Sequence, residues 1–272
     1  MNYLQFDFEV QEDEQLEKLV ALLSEQGFEG FEEEAQLLKA FIAEHFFKQT
    51  EFSQVMEMFE NIGYQKYTVE NINWNKQWEE GFQPVLVDDF VGIRATFHAP
   101  MEDVLHEIII TPKMSFGTGH HATTYLMIQQ MQELDFKGKL VLDFGTGTGV
   151  LAILASKLGA SNVFAIDYDE WSITNTLENI EQNACTNIRI AQMDTLPIEE
   201  KFDVILANIN LNVILPNLKS IVLDSFPGSS VLLSGFLKEN ESLVIASLAE
   251  AGLQYISTLQ RGDWILVLAN MP

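Results

Sequence analysis

Over the first seventy residues the apolar positions change their spacing several times. From Tyr3 to Val10 they alternate with polar ones, the period-two pattern of a half-buried strand. Leu16, Leu19, Val20 and Leu23 then recur at helical spacing within Glu14–Gln26, and Gly27 follows as a stop signal. Phe28–Glu34 and Leu37–Phe47 read as two strands. Glu51–Asn61 reads as a helix with Phe52, Val55, Met56 and Phe59 inward, and Tyr64–Val69 as a last strand. The order βαββαβ predicts a small α+β ferredoxin-like domain over residues 1–70.

Next, Trp74 and Trp78 lie four apart, on one face of a linker helix expected over residues 71–81, where two aromatic anchors could pack it against a domain. Gln83–Ala99 reads as a hairpin. From residue 139 the pattern becomes one of short apolar runs. Leu140–Leu142, Val163–Ile166, Ile188–Ile190, Val204–Ala207 and Val231–Leu233 are nearly free of polar alternation, as parallel strands covered on both faces should be. Val150–Leu158, Ser172–Gln182, Val213–Asp224 and Glu239–Ala251 between and after them have helical spacing. Residues 82–272 are therefore expected to form a doubly wound, Rossmann-like α/β domain.

Composition adds a constraint on partners. With 47% apolar residues and 19 Phe among 272, the chain can build a packed core. Forty acidic against 15 basic side chains leave a net charge of −25. Residues 1–80 hold 18 acidic and 5 basic residues, a net of −13; residues 81–272 hold 22 and 10, a net of −12 over more than twice the length. Such a chain repels phosphate backbones, which argues against direct sequence-specific nucleic acid binding and for a basic protein or an amine as partner. Cys185 stands alone and cannot form an intramolecular disulfide, which fits a reducing compartment. The start Met1–Asp7 has no signal-peptide pattern and no apolar run reaches the roughly 18 residues of a membrane span, so the expectation is a cytoplasmic monomer without a membrane anchor.

In a doubly wound sheet ligands sit beyond the carboxyl ends of the strands. After the first strand comes Asp143-Phe144-Gly145-Thr146-Gly147-Thr148-Gly149, and a helix opens at Val150. Glycines there permit a sharp turn and a close ligand, while the helix start offers free amide donors; a tight turn with no ligand is the plainer alternative. Asp167, 22 residues past Gly145, ends the second strand where its carboxylate can accept from both hydroxyls of a ribose, unless it is a surface cap. Asp194 after the third strand either reaches an adenine amino group or caps the turn Asp194-Thr195-Leu196-Pro197. An adenosine ligand suits all three. Nicotinamide dinucleotides call for G-x-G-x-x-G, whereas these glycines run G-x-G-x-G.

With Asp143 ahead of those glycines, the segment resembles the first motif of Rossmann-like S-adenosylmethionine-dependent methyltransferases. Phe116-Gly117-Thr118-Gly119-His120-His121-Ala122-Thr123-Thr124, Leu206-Ala207-Asn208-Ile209-Asn210-Leu211 and Trp74-x3-Trp78-x3-Phe82-x-Pro84 narrow the likeness. In this order, over roughly residues 73 to 272, they resemble the bacterial methyltransferases of large-subunit ribosomal protein eleven. The resemblance implies S-adenosylmethionine as cofactor, held at Thr124, Gly145, Asp167 and Asn208, with Phe116–Thr124 as a covering loop and Phe116, Asp143, Gly147, Gly149 and Asp194 completing the set. It also implies a catalytic Asn208 beside the sulfonium methyl, orienting a lysine or N-terminal amine of a basic ribosomal protein that the acidic first domain recognises. Asn208-Ile209-Asn210 reads equally as a capping turn before Val213. The chain departs from the family at Thr111-Pro112-Lys113, in place of Asp-Pro-Gly, and at His120-His121-Ala122, in place of Thr-His-Pro. The adjacent histidines lack metal-ligand spacing, so no metal is expected. Methyl transfer to another protein, RNA or a small molecule, a nicotinamide-dependent oxidoreductase and a non-catalytic binding module stay open as alternatives.

Overall fold

The computed structural model describes residues 3–10, 13–28, 30–34, 37–59, 61–69, 83–112, 119–196 and 200–272. The chain divides into two compact units, residues 1–82 and 83–272. In the first, β1 (Tyr3–Glu9), α1 (Asp13–Glu25), β2 (Gly30–Glu34), β3 (Leu37–Ala43), α2 (Gln49–Met56) and β4 (Tyr64–Val69) follow in the expected order. The strands form one antiparallel sheet, β2-β3-β1-β4, which is the ferredoxin-like arrangement. Alternation in β1 turns Leu4, Phe6 and Phe8 inward onto α1 and α2, with Phe6 and Phe52 ring centroids 4.6 Å apart. Strand β3 stops at Ala43, short of the expected Phe47, because the chain turns at Glu44–Phe46 and brings Phe47 back onto Phe6. The expected linker helix with Trp74 and Trp78 lies outside the described residues.

The second unit begins with the expected hairpin, β5 (Val85–Val87) and β6 (Val91–Ala95), to which β7 (His106–Ile110) adds in parallel. Then come α3 (Ala122–Gln132), β8 (Leu140–Phe144), α4 (Val150–Lys157), β9 (Asn162–Asp167), α5 (Glu170–Gln182), β10 (Ile188–Gln192), β11 (Phe202–Asn208) and α6 (Leu211–Leu223). Next are β12 (Ser225–Leu237), α7 (Glu241–Ala251), β13 (Gln254–Arg261) and β14 (Trp264–Asn270). Seven strands make a single sheet ordered β10-β9-β8-β11-β12-β14-β13. Neighbours from β10 to β12 run parallel, and β14 is antiparallel to both β12 and β13. Strands β13 and β14 go beyond the five expected from sequence and close the sheet with an antiparallel edge. The strand order reverses between β8 and β11, so their carboxyl ends diverge and leave the crevice where a ligand fits.

Candidate functional site

That crevice is a cavity of about 450 Å³ whose lining includes Gly145 and Gly147 after β8, Asp167 at the end of β9, Asp194 after β10 and Asn208 at the end of β11. Five residues expected from sequence to hold one ligand therefore do share one cavity. Each reaches it for the same reason: it lies at the carboxyl end of a strand of the sheet or within three residues past it.

Asp167 is only 7% exposed. One of its carboxylate oxygens accepts the Gly147 N–H at 2.9 Å and the other the Asp169 N–H at 3.0 Å. Each oxygen keeps a lone pair for a hydroxyl. Asp169 in turn caps α5, accepting from the backbone N–H groups of Trp171 and Ser172. The Asp167 carboxylate is thereby coupled to the glycine loop and to a helix start, which hold it in place. Asp194 is exposed and lines the cavity together with Tyr168, Ser172 and Met193.

Asn208 also lines the cavity. Its Nδ2 donates to Thr124 Oγ1 at 3.4 Å, and its Oδ1 is buried and has no hydrogen-bond partner among the described residues. A buried acceptor in that state is costly unless a ligand satisfies it. The capping alternative fails for Asn208, since the N-cap of α6 is Asn210, whose side chain makes no cap bond.

Three expected contacts have other tasks. Asp143 does not line the cavity. It is 1% exposed, and its Oδ2 accepts from Thr146 Oγ1 at 2.7 Å and from the Ala152 N–H at 3.2 Å, so it clasps the glycine loop from behind. Burial pushes its carboxyl up to about 7 against the pull of those two hydrogen bonds, and the Asp167 charge adds to the rise. Gly149 is the N-cap of α4 at φ +81°, where a Cβ would stand 2.7 Å from Thr176 Cγ2; it packs closely against α5 and is not among the cavity-lining residues. Thr124 is fully buried in the first turn of α3, so the expected covering loop gives way to helix at Ala122, and its hydroxyl accepts from Asn208. Phe116 lies outside the described residues.

Sequence reading overlooked other lining residues. Trp264, at the start of β14, meets the His121 ring edge-on, with centroids 4.5 Å apart and planes at 72°. His121 is the N-cap of α3: its Nδ1 accepts the Thr123 N–H, which requires that nitrogen to be unprotonated, and burial lowers its pKa to favour that form. Among the described residues no group of His, Cys, Asp and Glu could hold a metal ion.

The cavity lining combines the Asp167 and Asp194 carboxylates as hydroxyl acceptors, an Asn208 amide oxygen unsatisfied among the described residues, and apolar Ile209, Val213 and Trp264. These residues fit S-adenosylmethionine. Fold and site together define a Rossmann-like, S-adenosylmethionine-dependent methyltransferase. The family described as "Ribosomal protein L11 methyltransferase (PrmA)" matches residues 8–271. A ribosomal protein L11 methyltransferase of Bacteroides fragilis is 36% identical over 276 residues, covering 98% of this chain and 99% of that protein. One of Porphyromonas gingivalis is 40% identical over 253 residues, covering 90% and 87%. The crystal structure of a ribosomal protein L11 methylase from Lactobacillus delbrueckii subsp. bulgaricus superposes with a TM-score of 0.65 at 28% identity, covering 69% of this chain and 98% of that one. The chain belongs to the ribosomal protein L11 methyltransferase family.

Proposed function

We propose that the protein methylates ribosomal protein L11 on amine nitrogens, lysine side chains or the N-terminal amine, with S-adenosylmethionine as methyl donor. The observation that carries the amine reading is Asn208 Oδ1, a buried oxygen acceptor of a cavity-lining residue, without a partner among the described residues. When bound, the donor supplies an electrophilic methyl group on a sulfonium. This chain's residues do the rest. Asp167 holds the ribose hydroxyls, and Gly145 and Gly147 let the loop backbone come close to the methionine moiety. Asn208 Oδ1 accepts a hydrogen from the neutral amine and so aims its lone pair into the cavity. Positioning of this kind can supply on the order of 7–11 kcal/mol of barrier reduction.

A lysine ammonium, with an ordinary pKa near 10.4, must lose a proton before it can attack. Burial beside Trp264, Val213 and Ile209 favours the neutral amine, because an apolar wall disfavours the charged form. The first domain fits recognition of a basic protein. Its open sheet face presents Gln5 and Asp7 of β1 opposite Tyr67 and Gln65 of β4, and residues 1–80 carry a net −13. Opposite charge speeds encounter and weakens with salt.

Incubating the full chain with S-adenosylmethionine and unmethylated L11, followed by peptide mapping, tests the amine assignment. Methyl groups should appear on lysine or N-terminal nitrogen; modification confined to carboxylate, amide or thiol groups would overturn it.

A further inference from the structure

Ile209 stands between the two walls of the site. Its Cγ2 lies 2.1 Å from where a Cβ on Gly145 would be, and its backbone O, C and N lie 2.2, 2.7 and 2.9 Å from where a Cβ on Gly235 would be. Either methyl group would force Ile209 to move. Both glycines also occupy the left-handed region, at φ +76° and +99°. The Ile209 N–H donates to Ser234 O at 3.1 Å, and Ser234 Oγ donates to Ile265 O at 2.8 Å, which ties this backbone to β12 and β14. The backbone of Ile209 is thus seated in the recess at Gly235 while its side chain bears on Gly145. A β-branched side chain has few rotamers and makes a stiff strut.

Gly145 belongs to the cofactor loop, and Asn208 directly precedes Ile209. We propose that Ile209 is a positioning residue, a spacer whose Cγ2 sets the separation between the glycine loop and the Asn208 amide, with Gly235 as the recess its backbone requires. This deepens the methyl-transfer reading above and rests on it. Displacement of about 1 Å in such a site can cost about 10²-fold in rate.

Two substitutions separate a spacer from a space-filler. Ile209→Val is smaller but keeps Cγ2; Ile209→Leu keeps the volume and moves the branch away from Cβ. The assay uses the full chain, S-adenosylmethionine and unmethylated L11, and reads kcat, KM for both substrates, cofactor Kd by calorimetry and the melting temperature. Ile209→Val should keep kcat within about threefold of wild type, and Ile209→Leu should lose about tenfold or more, while both bind cofactor within about threefold of wild type. Gly235→Ala, if it melts cooperatively, should lose kcat as Ile209→Leu does. Turnover of Ile209→Leu equal to or above that of Ile209→Val, or a kcat loss matched by an equal loss of cofactor affinity, overturns the spacer alone. Absence of transfer by the wild type overturns the proposed function itself.

Discussion

Asp167→Ala should weaken S-adenosylmethionine binding by about a hundredfold, the largest effect expected of any single substitution on cofactor affinity. Hydrogen bonds to a charged acceptor contribute about 1.5–3 kcal/mol each, and 1.4 kcal/mol is a factor of ten. The carboxylate also accepts the N–H groups of Gly147 and Asp169, so its removal frees two backbone donors and loosens the loop along with the ribose contact. Asp167→Asn keeps one carbonyl oxygen and should fall between wild type and alanine. Isothermal calorimetry on the folded variants checks the order, and an unchanged Kd for Asp167→Ala would remove the ribose assignment.

The second large effect belongs to turnover. Asn208→Ala should lower kcat by about 10²- to 10³-fold, the scale seen when an oriented polar group at a reacting centre is deleted. Cofactor affinity should change far less, since the deleted oxygen faces the incoming amine. The variant also leaves Thr124 Oγ1 without its Asn208 donor, a buried cost that should appear as a lower melting temperature. Single-turnover measurement with bound cofactor separates the two effects. A rate close to wild type would show that Asn208 has no part in the chemistry, whatever the melting curve does.

Both predictions concern residues that could be found without coordinates, and the reason is topological. Strands covered on both faces stand out as unbroken apolar runs, as at Val163–Ile166 and Val204–Ala207, and in a doubly wound sheet the residue ending such a run points to the ligand. What escaped depends on tertiary neighbours. Gly145 looks like an allowance for a ligand, but its missing Cβ also makes room for Ile209, far away in sequence. Asp143 belongs to a recognisable motif, but its buried bonds to Thr146 and Ala152, which hold the loop, depend on the fold. Thr124 reads as loop because its segment is rich in glycine and histidine, while the His121 cap starts a helix there. Trp264 lies on a strand that a search for parallel runs passed over, although Gly262-Asp263 ahead of an apolar stretch is a turn signal. β13 carries little pattern at all, since most of its side chains are exposed or half-buried.

The charge distribution bears on kinetics. If the acidic first domain guides a lysine-rich partner, KM for L11 should rise with ionic strength while kcat stays nearly constant, because screening acts on encounter and not on the buried site.

This cavity is expected to deliver a methyl group to ribosomal protein L11. The most direct test is to incubate the full chain with methyl-labelled S-adenosylmethionine and large ribosomal subunits, or their dissociated proteins and RNA, from cells lacking the corresponding activity. Label is expected in L11, at a rate sharply lowered by Asn208→Ala and, at limiting cofactor, by Asp167→Ala. Label in ribosomal RNA or in another protein, with L11 unlabelled, would contradict it.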